Sequence, residues 1–382
     1  MYYNIFPTQD SWIITGSDPV ISQVFTDINT GQDQILELKK HFYNRSFDHQ
    51  SRVLINFAGP EFTALSKSIS DGEIVGDVKY FLKLYEAEGT QTLSTEYKIA
   101  ALPLSESWDE GIGKFGDSPK STTGNSWNNR TNYRGATATA WSTPGGTTIT
   151  SSNASQSFDY ESPDINMDIT SMVNLWMSSS QYATTGLQAV GSKGNIKNYG
   201  LQLRFSGSQE EDETTFGHLK FFGRNTHTIY SPRIQVRWDD QSHLIPITSP
   251  LVSLDVTGSV DNYIYPIGLR ESYKETEKVK FRFGARKRYI QKSFSTSVQT
   301  ISGSYIPSTS GSYSIVDMAT GETVVPFDDE YTKLSLDATS NYFHQWLNGF
   351  EPDRAYKILI KVKYDDEQEQ IFDDDFQFII RR

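Results

Sequence analysis

Helical periodicity does not persist anywhere in this sequence, whereas apolar runs of strand length recur along all of it. One buried helix face needs a repeat of 3.6 residues, while a repeat of two, or a short unbroken apolar run, suits a strand. Such runs fall at 11–15, 35–38, 52–57, 78–85, 98–104, 201–205, 219–222, 234–238, 279–283, 356–364 and 370–380, with Gly, Asn, Ser, Thr and Asp filling the turns between them. Two short stretches read as helix: 171–178, where Met172, Leu175 and Trp176 share a face, and 340–348. Aromatic residues make up 13% of the chain, which concentrates its apolar volume in flat side chains that favour strands. The pattern predicts an all-β protein of sandwich or barrel type.

A chain of 382 residues allows two or three domains at roughly 100–200 residues each. The segment 239–250 (DDQSHLIPITSP) holds two prolines and no clear period, and it follows a strong strand. The expected division is therefore a first domain at 1–240, a linker at 241–250 and a second domain at 251–382. The Ser/Thr/Gly/Asn-rich tract 111–160 keeps Phe115, Trp127, Tyr133, Trp141, Ile149 and Phe158 at intervals, so it is expected as ordered loops pinned by aromatics. Cysteine is absent, which excludes disulfide scaffolds, zinc ribbons and thiol nucleophiles. The net charge of −12 argues against nucleic acid as the main partner. No run approaches the roughly 18 apolar residues of a membrane span, so no membrane partner is expected. The start MYYNIFPTQD has neither a basic nor an apolar signal region, so synthesis and assembly in a cytoplasm are expected.

Four groups of residues carry possible chemistry. Asp109 and Glu110, beside Trp108, and Asp117 further on would suit a calcium site built from oxygens, but no D-x-D-x-D-G spacing appears. A turn whose Asp accepts backbone N–H groups while the Trp plugs the end of the sandwich is the favoured reading. No other cofactor is expected. Trp127, Asn128, Asn129, Arg130, Asn132, Tyr133, Arg134 and Trp141 offer rings to stack on sugars and amides to bond hydroxyls, and they would serve as well as loop anchors or a protein interface. Lys278, Lys280, Arg282, Arg286, Lys287, Arg288 and Lys292 form an acid-free basic stretch. Strand alternation would turn Phe281 and Phe283 inward and the bases outward. Bases interleaved with aromatics can mark a nucleic-acid surface, but in an acidic chain an acidic neighbour such as segment 364–375 of another subunit is the better reading, and a plain solvated face serves as well. In segment 364–375, Asp365, Asp366, Glu367, Glu369, Asp373, Asp374 and Asp375 flank Ile371 and Phe372; such a cluster could hold a metal, but its commoner use is to protect edge strands from aggregation. The histidines at 41, 49, 218, 227, 243 and 344 show no zinc-ligand spacing. There is no nucleophile elbow, phosphate loop or dinucleotide fingerprint, and nothing selects a carboxylate pair for glycoside hydrolysis, so no enzymatic activity is expected.

The ordered segments IAALPLSESWDEG, SWNNRTNYRGATATAW, STPGG, INMDITSMVNLWM, NYGLQLRFSG and FFGRNTHTIYSPRIQVRW resemble the DNRLRE-type β-sandwich family. That family shares a Trp-Asp-Glu-Gly turn, a Trp in an Asn-rich loop, a D-(I/V)-T strand leading to a short helix that ends in Trp, and a closing Pro-x-(I/L)-x-V strand. The likeness covers residues 5–239 and implies a jelly-roll-like sandwich, with sugar or surface binding often suspected in its members. The remainder, through HQWLNGFEPDRAYKILIKVKYDDEQEQIFDDDFQFIIRR, is similar in style to virion structural proteins of large tailed phages, marine myoviruses in particular. Together these imply a jelly-roll-like sandwich followed by an Ig-like one, in a non-enzymatic protein of a tailed-phage virion. Its expected place is the tail, baseplate or neck, in several symmetric copies among other virion proteins. The alternative is a carbohydrate-binding module recognising host glycans.

Overall fold

The computed structural model describes residues 1–18, 23–43, 46–57, 59–88, 93–132, 137–159, 164–177, 196–245, 249–257, 261–289, 294, 296–298, 303–364 and 368–382. The all-β expectation holds: strands dominate, and they pair mostly antiparallel. Two compact units are present, and neither is one continuous stretch. One comprises 5–73 and 79–235, the other 1–4, 74–78 and 236–382.

In the unit built on 5–73 and 79–235, a large sheet runs in the order Ala154–Asp159, Glu96–Pro103, Leu201–Phe205, Ser46–Asn56, Ile35–Tyr43, Gly217–Phe222. Gln9–Ile14 pairs with the far half of Ser46–Asn56. The strands Lys79–Leu84 and Ile165–Asp168 pair apart from this sheet. Alternation explains the core: Leu36, Leu38, Val53, Ile55, Leu82, Leu84, Leu219 and Phe221 are all buried. The helix expected at 171–178 is present as Thr170–Met177, with Met172, Val173, Leu175 and Trp176 buried. A second helix, Pro60–Ser70, escaped the periodicity reading. Proline sits in its first turn, where no N–H is needed, and Phe62 meets Trp176 edge to face at 6.3 Å.

In the other unit, one sheet includes Asn262–Ile267, Lys278–Lys287, Asn341–Trp346 and Ser335–Leu336. A second runs Ser272–Lys274, Gln377–Arg381, Ala355–Lys363, Gly311–Asp317, Thr323–Val325, with Glu369–Phe372 also on Ala355–Lys363. Stacked and tilted rings fill the core; Tyr313 and Phe343 lie parallel at 3.7 Å, and Phe281 and Phe283 pack beside Phe378 and Phe376. Tyr2, from the beginning of the chain, belongs to this same core.

Two expectations are corrected here. Residues 340–348 are not helical: Asn341–Trp346 is a strand, with Asn341, Phe343 and Gln345 pointing in and Tyr342, His344 and Trp346 pointing out. The single strand expected at 370–380 is two, Glu369–Phe372 and Gln377–Arg381, broken at a turn where Asp375 takes a left-handed φ of 56°.

Candidate functional site

The tract after Glu96–Pro103 folds back as a layer on the large sheet. Ile13, Leu54 and Leu104 form its floor, and Trp108 and Trp141 cover them with Trp127 and Tyr199 alongside. Trp141 is only 4% exposed and its indole N–H donates to the Ser126 carbonyl at 3.0 Å, while Trp108 donates to Tyr199 O at 2.9 Å. The Arg52 guanidinium lies 4.8 Å from the Trp127 ring centre. Gly145 abuts the same ring: a Cβ there would come within 2.7 Å of it, and the residue's φ of +85° also requires glycine.

The polar residues of this tract are engaged as well. Asn128 donates to Asp27 Oδ1 at 3.2 Å, and Arg130 donates to the carbonyl and hydroxyl of Ser107 at 2.9 and 3.0 Å. Asn129 begins the Asn129–Thr131 strand, and its N–H reaches Ser126 Oγ at 3.2 Å. Tyr133 and Arg134 lie outside the described residues. The arrangement therefore ties Trp127, Asn128, Asn129, Arg130 and Trp141 into one loop layer without opening a ring face of Trp141 to a ligand.

Asn29 fastens this layer from beneath. Its Nδ2 donates to Glu110 O at 2.7 Å, Asn125 O at 2.8 Å and Asn125 Oδ1 at 3.0 Å, and its Oδ1 accepts from Gly113 N at 2.8 Å. Gly111 allows this approach, since a Cβ there would sit 2.4 Å from Asn29 Oδ1. Nothing in the sequence marked Asn29, because its partners are carbonyls and amides about 80 to 96 positions away.

The three carboxylates weighed for calcium do not converge. Glu110 Oε1 accepts from the Asp10 amide at 3.0 Å and pairs with Arg224 Nε at 3.3 Å. Asp117 Oδ2 closes a turn by accepting from Lys114 N at 2.8 Å, and Asp109 is exposed. Among the described residues, no group of three or more His, Asp or Glu is arranged to hold a metal ion. Asp10 itself is buried, with Oδ1 lacking a hydrogen bond and Oδ2 accepting from Arg224 N at 2.5 Å. Burial pushes its carboxyl up to about 7; the neighbouring Glu110 charge adds to the shift, and the Arg224 amide and charge oppose it. Cross-strand pairing also joins histidines that the sequence keeps apart: the His41 and His218 rings meet edge to face at 5.2 Å, and His218 Nε2 lies 3.1 Å from Glu37 Oε2.

The basic stretch becomes the Lys278–Lys287 strand, and the expected alternation is present: Phe281 and Phe283 are buried, while Lys278 and Lys280 are exposed. Outward rings from the flanking strands lie against these cations. Lys280 Nζ is 3.5 Å from the Tyr342 ring centre, Arg286 4.7 Å from Tyr263 and Lys278 4.9 Å from Trp346. Asp337 receives Lys280 at 2.8 Å and both terminal nitrogens of Arg282, at 2.7 and 3.0 Å. The hydrogen bond from Arg282 holds its carboxyl well below the usual carboxylate range. Lys287 pairs with Asp255 at 3.5 Å; Arg288 is exposed, and Lys292 lies outside the described residues. Reading 340–348 as helix hid Tyr342, His344 and Trp346 from this face; the period-2 pattern of Tyr, His and Trp was the available signal.

On the other sheet, Asp373 meets Lys357 at 2.8 Å and Glu369 meets Lys361 at 3.2 Å, while Asp374 and Asp375 are exposed. Asp365, Asp366 and Glu367 lie outside the described residues. Among the described residues, no helix is long and apolar enough to cross a membrane. Compared with known proteins, the chain matches no family model and no curated protein.

Proposed function

We propose that this protein is a non-enzymatic structural component of a tailed-phage virion, placed at the tail, baseplate or neck and acting by docking on other virion proteins. The observation that supports the reading best is the outward face of the Lys278–Lys287 strand, where Lys278, Arg282 and Arg286 stand in register with Trp346, Tyr342 and Tyr263, and Lys280 with His344, in a chain of net charge −12. Tyr, Trp and Arg are the side chains that dominate protein interfaces, and a cationic face on an acidic chain selects for an acidic neighbour. The loop layer on the other unit supports the same reading, because its candidate ligand-binding side chains hold loops in place. A carbohydrate role resting on Trp127 and Trp141 is less favoured: Trp141 is buried, and Arg52 and Gly145 close on Trp127.

Mass spectrometry of purified particles is the test. The expected result is this chain at several copies per particle, with incorporation reduced by Lys278→Glu/Arg286→Glu. Absence from particles whose other structural proteins are all detected would sink the proposal. Glycan-array binding abolished by Trp127→Ala would replace it with the carbohydrate reading.

A further inference from the structure

Two surfaces of the unit that holds 236–382 carry complementary patterns. The first is the face just described: Lys278 and Lys280 exposed, Arg282 and Arg286 half-buried, with half-buried Tyr263 and Trp346 beside them, Tyr342 buried under Lys280, and Asp337 as the carboxylate lying among them. The second is the turn between Glu369–Phe372 and Gln377–Arg381. Ile371, in the strand that leads into this turn, leaves 52% of its surface exposed and pairs across the sheet with Lys361; Glu369 precedes it in the sequence and the exposed run Asp373, Asp374, Asp375 follows.

An aliphatic side chain flanked by carboxylates is the chemical counterpart of rings flanked by cations: the apolar parts meet at the centre and the charges at the rim. Lys357 and Lys361 already touch Asp373 and Glu369, and Lys363 lies 3.6 Å from Glu369; the Asp373 and Glu369 side chains are still 47% and 44% exposed, and Asp374 and Asp375 beside them are exposed as well, so the acidic edge stays open to further cations. We infer that the Lys278–Lys287 face receives the 369–375 turn of a second copy of this chain, head to tail. The inference rests on the docking reading and names its partner. Because the two surfaces differ, the contact is heterologous, and its repetition closes a ring or extends a row of subunits.

The test is sedimentation of the purified full-length chain at about 0.1 M and about 1 M salt, between which the screening length falls from about 10 to about 3 Å. Self-association is expected at low salt. It should weaken about tenfold or more at high salt, in Lys278→Glu/Arg286→Glu and in Asp373→Lys/Asp374→Lys, and return when both pairs are combined in one chain. Circular dichroism and melting curves confirm that each variant is folded. A monomeric wild type at low salt, variants that associate as the wild type does, or a folded combined variant that stays apart would each overturn the inference. A monomeric wild type whose incorporation into particles still depends on Lys278 and Arg286 removes only the second-copy partner. Self-association through this face by a chain absent from particles removes only the phage reading.

Discussion

Asp10 shows how one residue can be plain in sequence and decisive in the fold. Its carboxyl is 1% exposed, between the Glu110 carboxylate and Arg224, and its pKa rises from 3.8 to about 7. The folded state therefore binds a proton that the unfolded state releases near pH 4. The corresponding stability is full below pH 4 and is lost as pH rises to about 7, with a slope of at most about 1.4 kcal/mol per pH unit. Asp10→Asn removes this titration. Melting curves from pH 4 to pH 8 should fall more steeply for the wild type than for the variant; parallel curves would show that Asp10 is ionised throughout. The sequence could not reveal this, since the shift arises from burial and from residues 100 and 214 positions away.

At the scale of elements, alternation and loop chemistry were legible to different degrees. The strands at 35–43, 201–205, 278–287 and 355–363 announce themselves because their apolar residues repeat or run unbroken. The stretch 340–348 misleads because Tyr342, Phe343, Trp346 and Leu347 also fit a helical face; pairing with the Lys278–Lys287 strand decides it. The loop layer was legible only as a set of aromatic anchors. What those anchors rest on, Ile13, Leu54 and Leu104, comes from three separated segments. Trp141→Ala should therefore cost about 3–5 kcal/mol in urea unfolding, as expected for a deleted buried aromatic. A loss below about 1 kcal/mol would mean that the layer closes over the gap.

For the molecule as a whole, the expected division into 1–240, 241–250 and 251–382 stands beside two discontinuous units. Residues 241 and 242 bond along the Leu334–Leu336 segment, and Tyr2 sits in the core of the unit that holds 236–382. The Tyr2 hydroxyl donates to Asp328 Oδ2 at 2.9 Å, and its ring meets Tyr331 edge to face at 6.4 Å. Tyr2→Ala should lower stability by about 3–5 kcal/mol. Hydrogen exchange should rise first at 311–317 and 341–346; faster exchange confined to 35–56 would contradict the placement.

Strand content, the aromatic core and the outward turn of the basic stretch followed from the sequence alone, because local alternation dictates which side chains a strand can bury. The loop layer on Asn29, the buried Asp10, the rings standing beside Lys278, Lys280 and Arg286, and the docking of Tyr2 far along the chain were decided by tertiary structure. Each depends on contacts between distant segments, whose register and closure no local pattern encodes.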